Sequence, residues 1–267
     1  MQSRPLSRAA IAIAVAGFGC GRLDFDDSLT LVATYPLDEA SGQIAHNSVP
    51  GGSALDGVLG ESTAVESTDP TWVPGRHGSA LSFDAIDDLV EVPSSDISVF
   101  ATTTVHDAIT ISAWFQPADP GSAYQAIYQI GGESNGATLG VIPGGNVRFA
   151  LRNKFVAQVS KVLDTTMILN AGTWYYLAGT SDASGMRLYV YADAGQLLEL
   201  ATSPGPYQWN TGTDGIALGN NPADDSGLRG LLSSGPEPCN GIVDEVRIYT
   251  SAIAQAQIES DLRTPPP

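Results

Sequence analysis

Apolar and polar residues alternate along much of the chain, and this pattern predicts a series of short strands. Residues 109–115 show it clearly, because Ile109, Ile111, Ala113 and Phe115 would share one face of a strand. Gly-rich turns and short polar turns separate the runs, and the sequence does not alternate strands with helices. The pattern favours an all-β protein, a two-sheet antiparallel β-sandwich of jelly-roll type. The other apolar runs are residues 31–37, 80–83, 89–92, 125–130, 137–141, 147–151, 174–179, 186–191 and 216–218.

The end of the chain predicts one more strand and a short C-terminal helix. Val246 and Ile248 alternate with Glu245, Arg247 and Tyr249, as in a strand with one buried face. After Ser251, the apolar residues 253, 254, 258 and 262 approach helical spacing. Residues 264–267 form a Pro-rich tail. We therefore expect a closing strand that leads into one helix.

The beginning of the chain has the features of an export signal. Arg4 and Arg8 precede an apolar run at residues 9–19, which is shorter than the roughly 20 residues of a membrane span but suits a secretory signal. Cys20 follows directly, as in bacterial lipoprotein signals, where this cysteine is acylated. Gly17 and Phe18 depart from the usual residues, so an ordinary signal peptide is the alternative. We predict a signal at 1–19, an acidic tether at 20–29 and a single domain at 30–263, on a protein exported across the inner membrane and lipid-anchored at the cell envelope or surface.

Charge and cysteine content narrow the possible functions. The net charge is −17, and removal of residues 1–19 takes away two arginines and no acids, which makes it about −19. A surface this acidic repels phosphate backbones, so we expect no nucleic-acid partner. The chain has two cysteines, Cys20 and Cys239. A disulfide can therefore form within the chain only if Cys20 keeps its thiol. Acylation of Cys20 would leave Cys239 without a partner in the chain.

Five sequence signatures follow one another along the chain. They are Tyr-Pro-Leu-Asp-Glu-Ala-Ser-Gly at 35–42, Gly-Ser-Ala-Leu-Ser-Phe-Asp at 78–84 with Asp-Asp-Leu-Val at 87–90, Ile-Thr-Ile-Ser-Ala-Trp at 109–114, Trp-Tyr-Tyr-Leu-Ala-Gly-Thr at 174–180 with Arg-Leu-Tyr-Val at 187–190, and the closing strand at 240–249. In this order they resemble the laminin-G-like jelly rolls of the concanavalin A-like lectin/glucanase superfamily. The resemblance covers almost the whole mature chain and implies a fold that usually binds molecules rather than transforming them.

The resemblance also implies a structural calcium ion. In such proteins an aspartate of the last strand often joins carbonyls of the first strand and an early loop, which here points to Asp244. Asp38 and Asn47 lie in the matching early segment, and Asp84 or Asp87 could approach from the neighbouring turn. Calcium prefers hard oxygen ligands of this kind. The alternative for the loop acids is that they only form turns by bonding their own backbone.

Catalysis receives little support from the sequence. Retaining glycosidases of this superfamily need a Glu-x-Asp-x-x-Glu strand, whereas the one Glu-x-Asp, Glu259-Ser-Asp261, lies in the predicted helix. Gly132-Glu-Ser-Asn-Gly136 matches a nucleophile elbow in letters but sits in a predicted hairpin turn, and all three histidines precede it. We therefore predict no enzyme activity.

The predicted function is a non-catalytic cell-surface binding module for glycans or for a surface protein. Sugar binding uses exposed aromatic rings, and the candidates in loop-like segments are Trp72, Tyr124, Tyr207 and Trp209. Trp114 and Trp174 fall within predicted strands and are expected in the core. Two alternatives remain at this point: a divergent polysaccharide-active enzyme, such as a glycosidase or lyase, and a structural envelope protein without a discrete ligand.

Overall fold

The computed structural model of the protein describes residues 31–92, 105–132, 134–154, 159–211, 215–222, 231–233 and 235–265. Within these ranges no helix has the length and apolar character needed to cross a membrane. The strands are β1 (Leu31–Tyr35), β2 (Ile44–Ala45), β3 (Gly57–Leu59), β4 (Thr71–Pro74), β5 (Ser79–Asp84), β6 (Val90–Val92), β7 (Val105–His106), β8 (Ile109–Pro117), β9 (Gln125–Gly132), β10 (Asn135–Ile142), β11 (Asn146–Asn153), β12 (Val159–Ile168), β13 (Tyr175–Asp182), β14 (Gly185–Ala192), β15 (Leu197–Pro204), β16 (Trp209–Asn210), β17 (Ile216–Leu218) and β18 (Asn240–Tyr249).

Two antiparallel sheets form the sandwich, which confirms the predicted fold class. The first sheet has the order β15-β14-β13-β8-β18-β5-β4, and β1 also pairs with β18. The second sheet has the order β12-β11-β10-β9-β17-β6-β3-β2. The edge strands β15 and β12 contact each other at one side of the sandwich. At the opposite side, β4 and β2 are the two edge strands.

The core lies between the sheets and follows the period-two pattern of the strands. Phe115 and Leu177 of the first sheet and Leu139 and Phe149 of the second are fully buried members of one cluster. Residues with the opposite parity in β10 and β11 point to the outer face of the second sheet, because successive side chains of a strand alternate between faces. The sequence pattern thus identifies the central strands with ends that differ by one to three residues.

The outer face of the first sheet is buried as well, which corrects the predicted one-sided closing strand. A second cluster contains Trp114, Tyr176 and Tyr249, and helix α1 (Gln255–Asp261) packs on it through Ile258. Arg247 is buried there and donates to the Asp261 carbonyl of the helix, and Glu245 is buried as well, so neither is exposed as the alternation predicted. The helix is also shorter than the segment that Ser251 was predicted to open: its N-cap is Ala254, and no side chain caps it.

Several features of the chain were not anticipated from the sequence. Strands β4, β12 and β15 were missed, since Pro74 ends the first and the other two lack a continuous apolar face. Cys239 is buried with a free thiol, so the described residues contain no disulfide. The predicted signal, tether and lipidation site at Cys20 lie outside the described residues.

Candidate functional site

Along one side, strand β18 pairs with two different strands in succession, and a short unpaired gap lies between them. Strand β5 pairs with its first half, ending at Val243 opposite Leu81, and β1 pairs with its second half from Val246 opposite Tyr35. Strand β8 pairs along the other side of both halves, with an irregularity between Asp244 and Arg247. The gap therefore leaves the Asp244–Glu245 segment facing loops instead of a strand.

Two buried carboxyl groups occupy this gap, and within the described part of the chain each has one oxygen without a hydrogen-bond partner. Asp244 is fully buried; its Oδ2 accepts the His77 N–H at 3.0 Å, whereas its Oδ1 has no partner. Glu245 is 1% exposed, with Oε2 at 3.1 Å from Nη2 of Arg247 and Oε1 without a partner. Burial raises the pKa of Asp244 to about 7. It raises the pKa of Glu245 to about 8, although Arg247 acts in the opposite direction.

The turn between β4 and β5 brings its backbone directly onto these acids. A Cβ on Gly75 would lie 2.7 Å from Oδ2 of Asp244, and a Cβ on Gly78 would collide with Oδ1 of Asp38. Gly78 also has a φ of +47°, which favours glycine. We name Asp38, Asp244 and Glu245 the acidic corner, since Asp38 interacts electrostatically with both buried acids.

A groove of about 640 Å³ opens beside the acidic corner, and we name it the edge groove. Residues 72–74 of the edge strand β4 form one wall. Asp38 and Ala40 from the loop after β1, with Gly78 and Ser79 at the start of β5, complete its lining. The Trp72 ring is partly buried, and its Nε1–H donates to the Gly42 carbonyl at 3.0 Å.

Hydrogen bonds hold Asp38 in place at the rim of the edge groove. Its Oδ1 accepts the Ser79 N–H at 2.8 Å, and the Ser79 hydroxyl donates to the Leu37 carbonyl at 2.6 Å. The same hydroxyl accepts the Ala40 N–H at 3.1 Å. The groove thus combines an aromatic ring with a fixed carboxylate, which is the combination that suits sugar recognition.

The five predicted calcium ligands do not meet at one point. Asp38 and Asp244 lie together in the acidic corner. Asn47 is elsewhere: its amide accepts the Thr34 N–H at 2.9 Å and donates to the Val32 and Gly52 carbonyls, so it holds a turn together.

Asp84 and Asp87 join Asp88 at the far end of β5, and we name these three the hairpin acids. Among the described residues, they form the one metal-sized group of acidic side chains, with oxygens within 4.8 Å of one another. Two of their oxygens already accept backbone N–H groups, from Asp84 and Ile86. Burial, and then the charge of Asp84, raise the pKa of Asp88 to about 6.

The four aromatic residues that were predicted to stack on sugars also lie in different parts of the fold. Trp72 lies in a strand rather than a loop and lines the edge groove. Trp209 is fully buried and stacks on His106 at 4.4 Å between ring centroids, so it offers no face to a ligand. Tyr207 is partly buried beside Ser203 and Lys161, and Tyr124 precedes β9. Trp114 is buried as expected, and Trp174 is partly buried against the outer cluster.

The outer face of the second sheet carries a covering loop, which we define as the described residues 219–222, 231–233 and 235–238. Leu231 and Leu232 lie against β10, where a Cβ on Gly136 or Gly140 would come within 2.8 or 2.6 Å of their side chains. Both leucines are buried. The floor of small residues on this face is therefore filled by the chain itself.

Glu237 anchors the covering loop and was not predicted as a site residue. It is fully buried, its Oε1 accepts the Ser233 N–H, and among the described residues its Oε2 has no hydrogen-bond partner. Its backbone N–H donates to the side-chain oxygens of Asn220 and Asn221 at 3.1 and 3.0 Å. Burial raises the pKa of Glu237 to about 7. No sequence pattern marks this burial, because the segment contains no apolar alternation.

The stacked sheets define a concanavalin A-type jelly roll, and the sequence agrees with the fold. The profile of the Laminin_G_3 family of the concanavalin A-like lectin/glucanases superfamily matches residues 84–259. The chain belongs to this family. Among curated proteins, no sequence relative matches.

Solved structures with a similar fold include carbohydrate-bound and receptor-bound domains. One is domain 4 of an extracellular arabinanase from Geobacillus stearothermophilus in complex with arabinotriose, with 16% identity, a TM-score of 0.59, and coverage of 88% of this chain and 100% of that one. Another is the binding domain of botulinum neurotoxin DC in complex with rat synaptotagmin II, with 10% identity, a TM-score of 0.55, and coverage of 87% and 51%. The chain thus spans about half the length of that neurotoxin chain. At these identities the likeness shows the fold alone.

Proposed function

We propose that this protein is a non-catalytic binding module whose edge groove takes a glycan. The observation that carries the proposal is the pairing of the partly exposed Trp72 ring with the fixed Asp38 carboxylate in one groove of about 640 Å³. An aromatic ring offers its face to the apolar side of a sugar, and a carboxylate accepts hydrogen bonds from neighbouring hydroxyls. The arabinotriose complex of the similar arabinanase domain supports a carbohydrate partner.

A protein partner is the second possibility, and the similar neurotoxin domain supports it. That domain is in complex with synaptotagmin II. The edge groove favours a glycan over a protein, because Trp72 stands on a short edge strand of four residues that ends in Pro74. Proline removes a backbone donor and blunts an edge against the addition of another strand.

The non-catalytic part of the proposal rests on where the carboxyl groups lie. Strands β10 and β11 carry no acidic residue. On the same outer face, Asp164 of β12 is held by Arg148 through two contacts of 2.7 Å, and Glu237 is buried under the covering loop. A glycosidase needs two carboxyl groups that reach the same open bond. A reducing-sugar assay on every glycan that binds is expected to show no turnover.

The experiment that tests glycan binding is a glycan array followed by calorimetry on the hits. Wild type, Trp72→Ala and the matched control Tyr124→Ala are compared, with thermal melts to confirm folding. We expect binding that falls at least about tenfold in Trp72→Ala and stays within twofold in Tyr124→Ala. Absence of any glycan ligand for the folded wild type would overturn the proposal and favour a structural envelope protein.

We propose further that calcium binds at the acidic corner, with Asp244 and Glu245 as its carboxylate ligands. The partnerless buried oxygens of these two residues support this placement, since a buried carboxylate needs a compensating charge or donor. The ion would supply positive charge and stabilise the folded state by mass action. The arrangement of the hairpin acids, in contrast, is explained by the backbone N–H groups that they accept.

A thermal melt separates the two acidic groups. We expect calcium to raise the melting temperature of wild type and Asp87→Asn by several degrees relative to chelator, and to leave Asp244→Asn unchanged. If Asp87→Asn loses the response and Asp244→Asn keeps it, the ion belongs to the hairpin acids. Equal melts of wild type with calcium and chelator would remove the calcium proposal.

We also propose that the protein is exported and anchored by a lipid on Cys20. The apolar run at 9–19 followed directly by Cys20 supports this. Mass spectrometry of the N-terminal peptide from a bacterial membrane fraction is the test. An acylated Cys20 is expected, and a free N-terminus elsewhere with the protein in the soluble fraction would indicate an ordinary signal peptide.

A further inference from the structure

The charge that lines the edge groove is negative. Asp38 is the one charged side chain among the described residues that line it. The sequence as a whole carries −17. A cavity lined by one sign of charge attracts or repels ligands according to their own charge.

The basic groups nearest in sequence are committed elsewhere. Arg76 forms an ion pair with Asp193 and lies over the Trp114 ring at 5.0 Å, and it lines a different groove with His77. Burial lowers the pKa of His77, which favours its neutral form near pH 7. Neither residue lines the edge groove, so a ligand carboxylate there would meet no fixed cation among the described lining residues.

Asp38 is held in a position to act on a ligand. Its Oδ1 is occupied by the Ser79 N–H, and within the described part of the chain its Oδ2 has no hydrogen-bond partner. Asp38 is exposed, so Oδ2 can accept hydrogen bonds from a ligand without reorganising the loop. A fixed acceptor costs less on binding than a mobile one.

We infer that the edge groove selects neutral glycans and rejects anionic ones, and that Asp38 is the residue that sets this specificity. The inference rests on the proposed glycan-binding function and names the chemical class of its ligand. Sugars that carry carboxylates, such as uronic and sialic acids, are rejected because their charge approaches Asp38, and none of the described lining residues is a cationic side chain that could pair with it. A neutral sugar instead donates hydroxyl groups to Oδ2 while its ring packs on Trp72.

The size of the discrimination follows from Coulomb's law. One carboxylate about 6 Å from Asp38 is disfavoured about threefold at the dielectric constant of water, and more at the lower values found near a protein surface. Salt screens charges that are separated by more than a Debye length, about 30 Å at 0.01 M and about 3 Å at 1 M. The discrimination should therefore be strong in dilute buffer and shrink in high salt.

The test uses one array that carries neutral oligosaccharides and the same compounds oxidised at C6 to uronic acids. Each pair shares ring faces and linkages and differs at C6, where a carboxylate replaces a hydroxymethyl group. The part of the discrimination that disappears at 1 M salt reports the charge, because loss of the hydroxyl group does not depend on salt. Wild type, Asp38→Asn and the control Asp119→Asn are compared in chelator at 0.01 M and 1 M salt. Asp38→Asn keeps an oxygen for the Ser79 N–H, and Asp119→Asn removes the same charge at an exposed position outside the groove.

Wild type is expected to bind neutral members at least about threefold more tightly than their oxidised partners at low salt. Asp38→Asn should lose most of this difference, and Asp119→Asn should keep it. Equal or tighter binding of the oxidised members, or full discrimination in a folded Asp38→Asn, would overturn the inference while leaving glycan binding intact. No binding to either set would instead remove the proposed function, and the inference with it.

Discussion

The outer face of the second sheet and the edge groove are two candidate binding surfaces, of which the first is covered by the chain and the second is open. On the outer face, Leu231 and Leu232 of the covering loop occupy the space over Gly136 and Gly140. At the edge groove, Trp72 keeps part of its ring exposed and no described segment covers it. Each region nevertheless has a buried carboxyl group with a partnerless oxygen, Glu237 under the loop and Asp244 behind the groove. The two regions therefore differ in how much apolar surface stays exposed, and not in their buried carboxyl groups.

This comparison indicates why we propose the edge groove, and not the outer face of the second sheet, as the binding surface. The small residues of the outer face would form a cleft only if no other side chain occupied the space over them. Leu231 and Leu232 occupy it, and burial of these two side chains stabilises the fold by several kcal/mol. Among the described residues, no side chain fills the space between β4 and the loop after β1, so Trp72 remains partly exposed.

The largest expected effect comes from removing a leucine side chain of the covering loop. Leu232→Ala should reduce the free energy of unfolding by about 3 kcal/mol, because a buried leucine loses contacts and leaves a cavity. Glycan affinity should change less than twofold, since Leu232 lies on the other face. Urea unfolding and calorimetry with the array hit measure the two quantities. A gain or loss of glycan binding would place the ligand on the outer face and reverse the comparison.

Sequence reasoning predicted the sandwich well and the site only in part. The sequence pattern places Asp244 on the face of Val246 and Ile248, and Asp244 is fully buried, but for a different reason. It lies opposite Trp114 of the outer cluster, because β18 is irregular between Asp244 and Arg247. The burial of Glu245 could not be predicted, since this irregularity, where Glu245 has a φ of +55°, interrupts the period-two pattern. The split between Asp38 and Asn47 is equally hidden, since distance along the chain does not give distance in space.

The pH dependence of stability is expected to be the next largest effect. The pKa of Asp244 is about 7 in the folded protein against 3.8 ordinarily, so the folded state binds the proton more tightly. Its stabilising contribution is complete below about pH 4 and is lost as the pH rises through 7. The same sign holds for Glu237, whose pKa of about 7 compares with 4.5. Stability in chelator should therefore fall by about 2.5 kcal/mol per group between pH 5 and pH 8.

Calcium should affect the pH dependence caused by Asp244 but not that caused by Glu237. In Glu237→Gln, the pH dependence left by the acidic corner should largely disappear with calcium, because the ion holds Asp244 and Glu245 in their charged forms. In Asp244→Asn, the part due to Glu237 should remain with or without calcium. Denaturant melts at four pH values measure this. Identical curves for the two variants in calcium would show that the ion does not distinguish the two regions.

Replacement of Trp72 sharpens the comparison from the groove side. Trp72→Phe keeps a smaller ring and should weaken glycan binding by only a few fold, whereas Trp72→Ala should lose about tenfold or more. The ring also packs against the core, so Trp72→Ala should lower the free energy of unfolding by about 1–2 kcal/mol. A variant that melts normally and binds as wild type would remove Trp72 from the site.

The smallest expected effect concerns the opposite edge of the sandwich. Tyr207 bonds Ser203 of β15 at 3.0 Å, and Lys161 of β12 lies 5.2 Å from its ring centroid, so Tyr207 marks the edge formed by these two strands. It does not line the edge groove. Tyr207→Ala should therefore change glycan affinity by less than twofold, measured by the same calorimetry as Trp72→Ala. If Tyr207→Ala abolished binding while Trp72→Ala did not, the ligand would belong at the β12–β15 edge. The open groove beside Trp72 would then be a gap in the packing at the other end of the sheets.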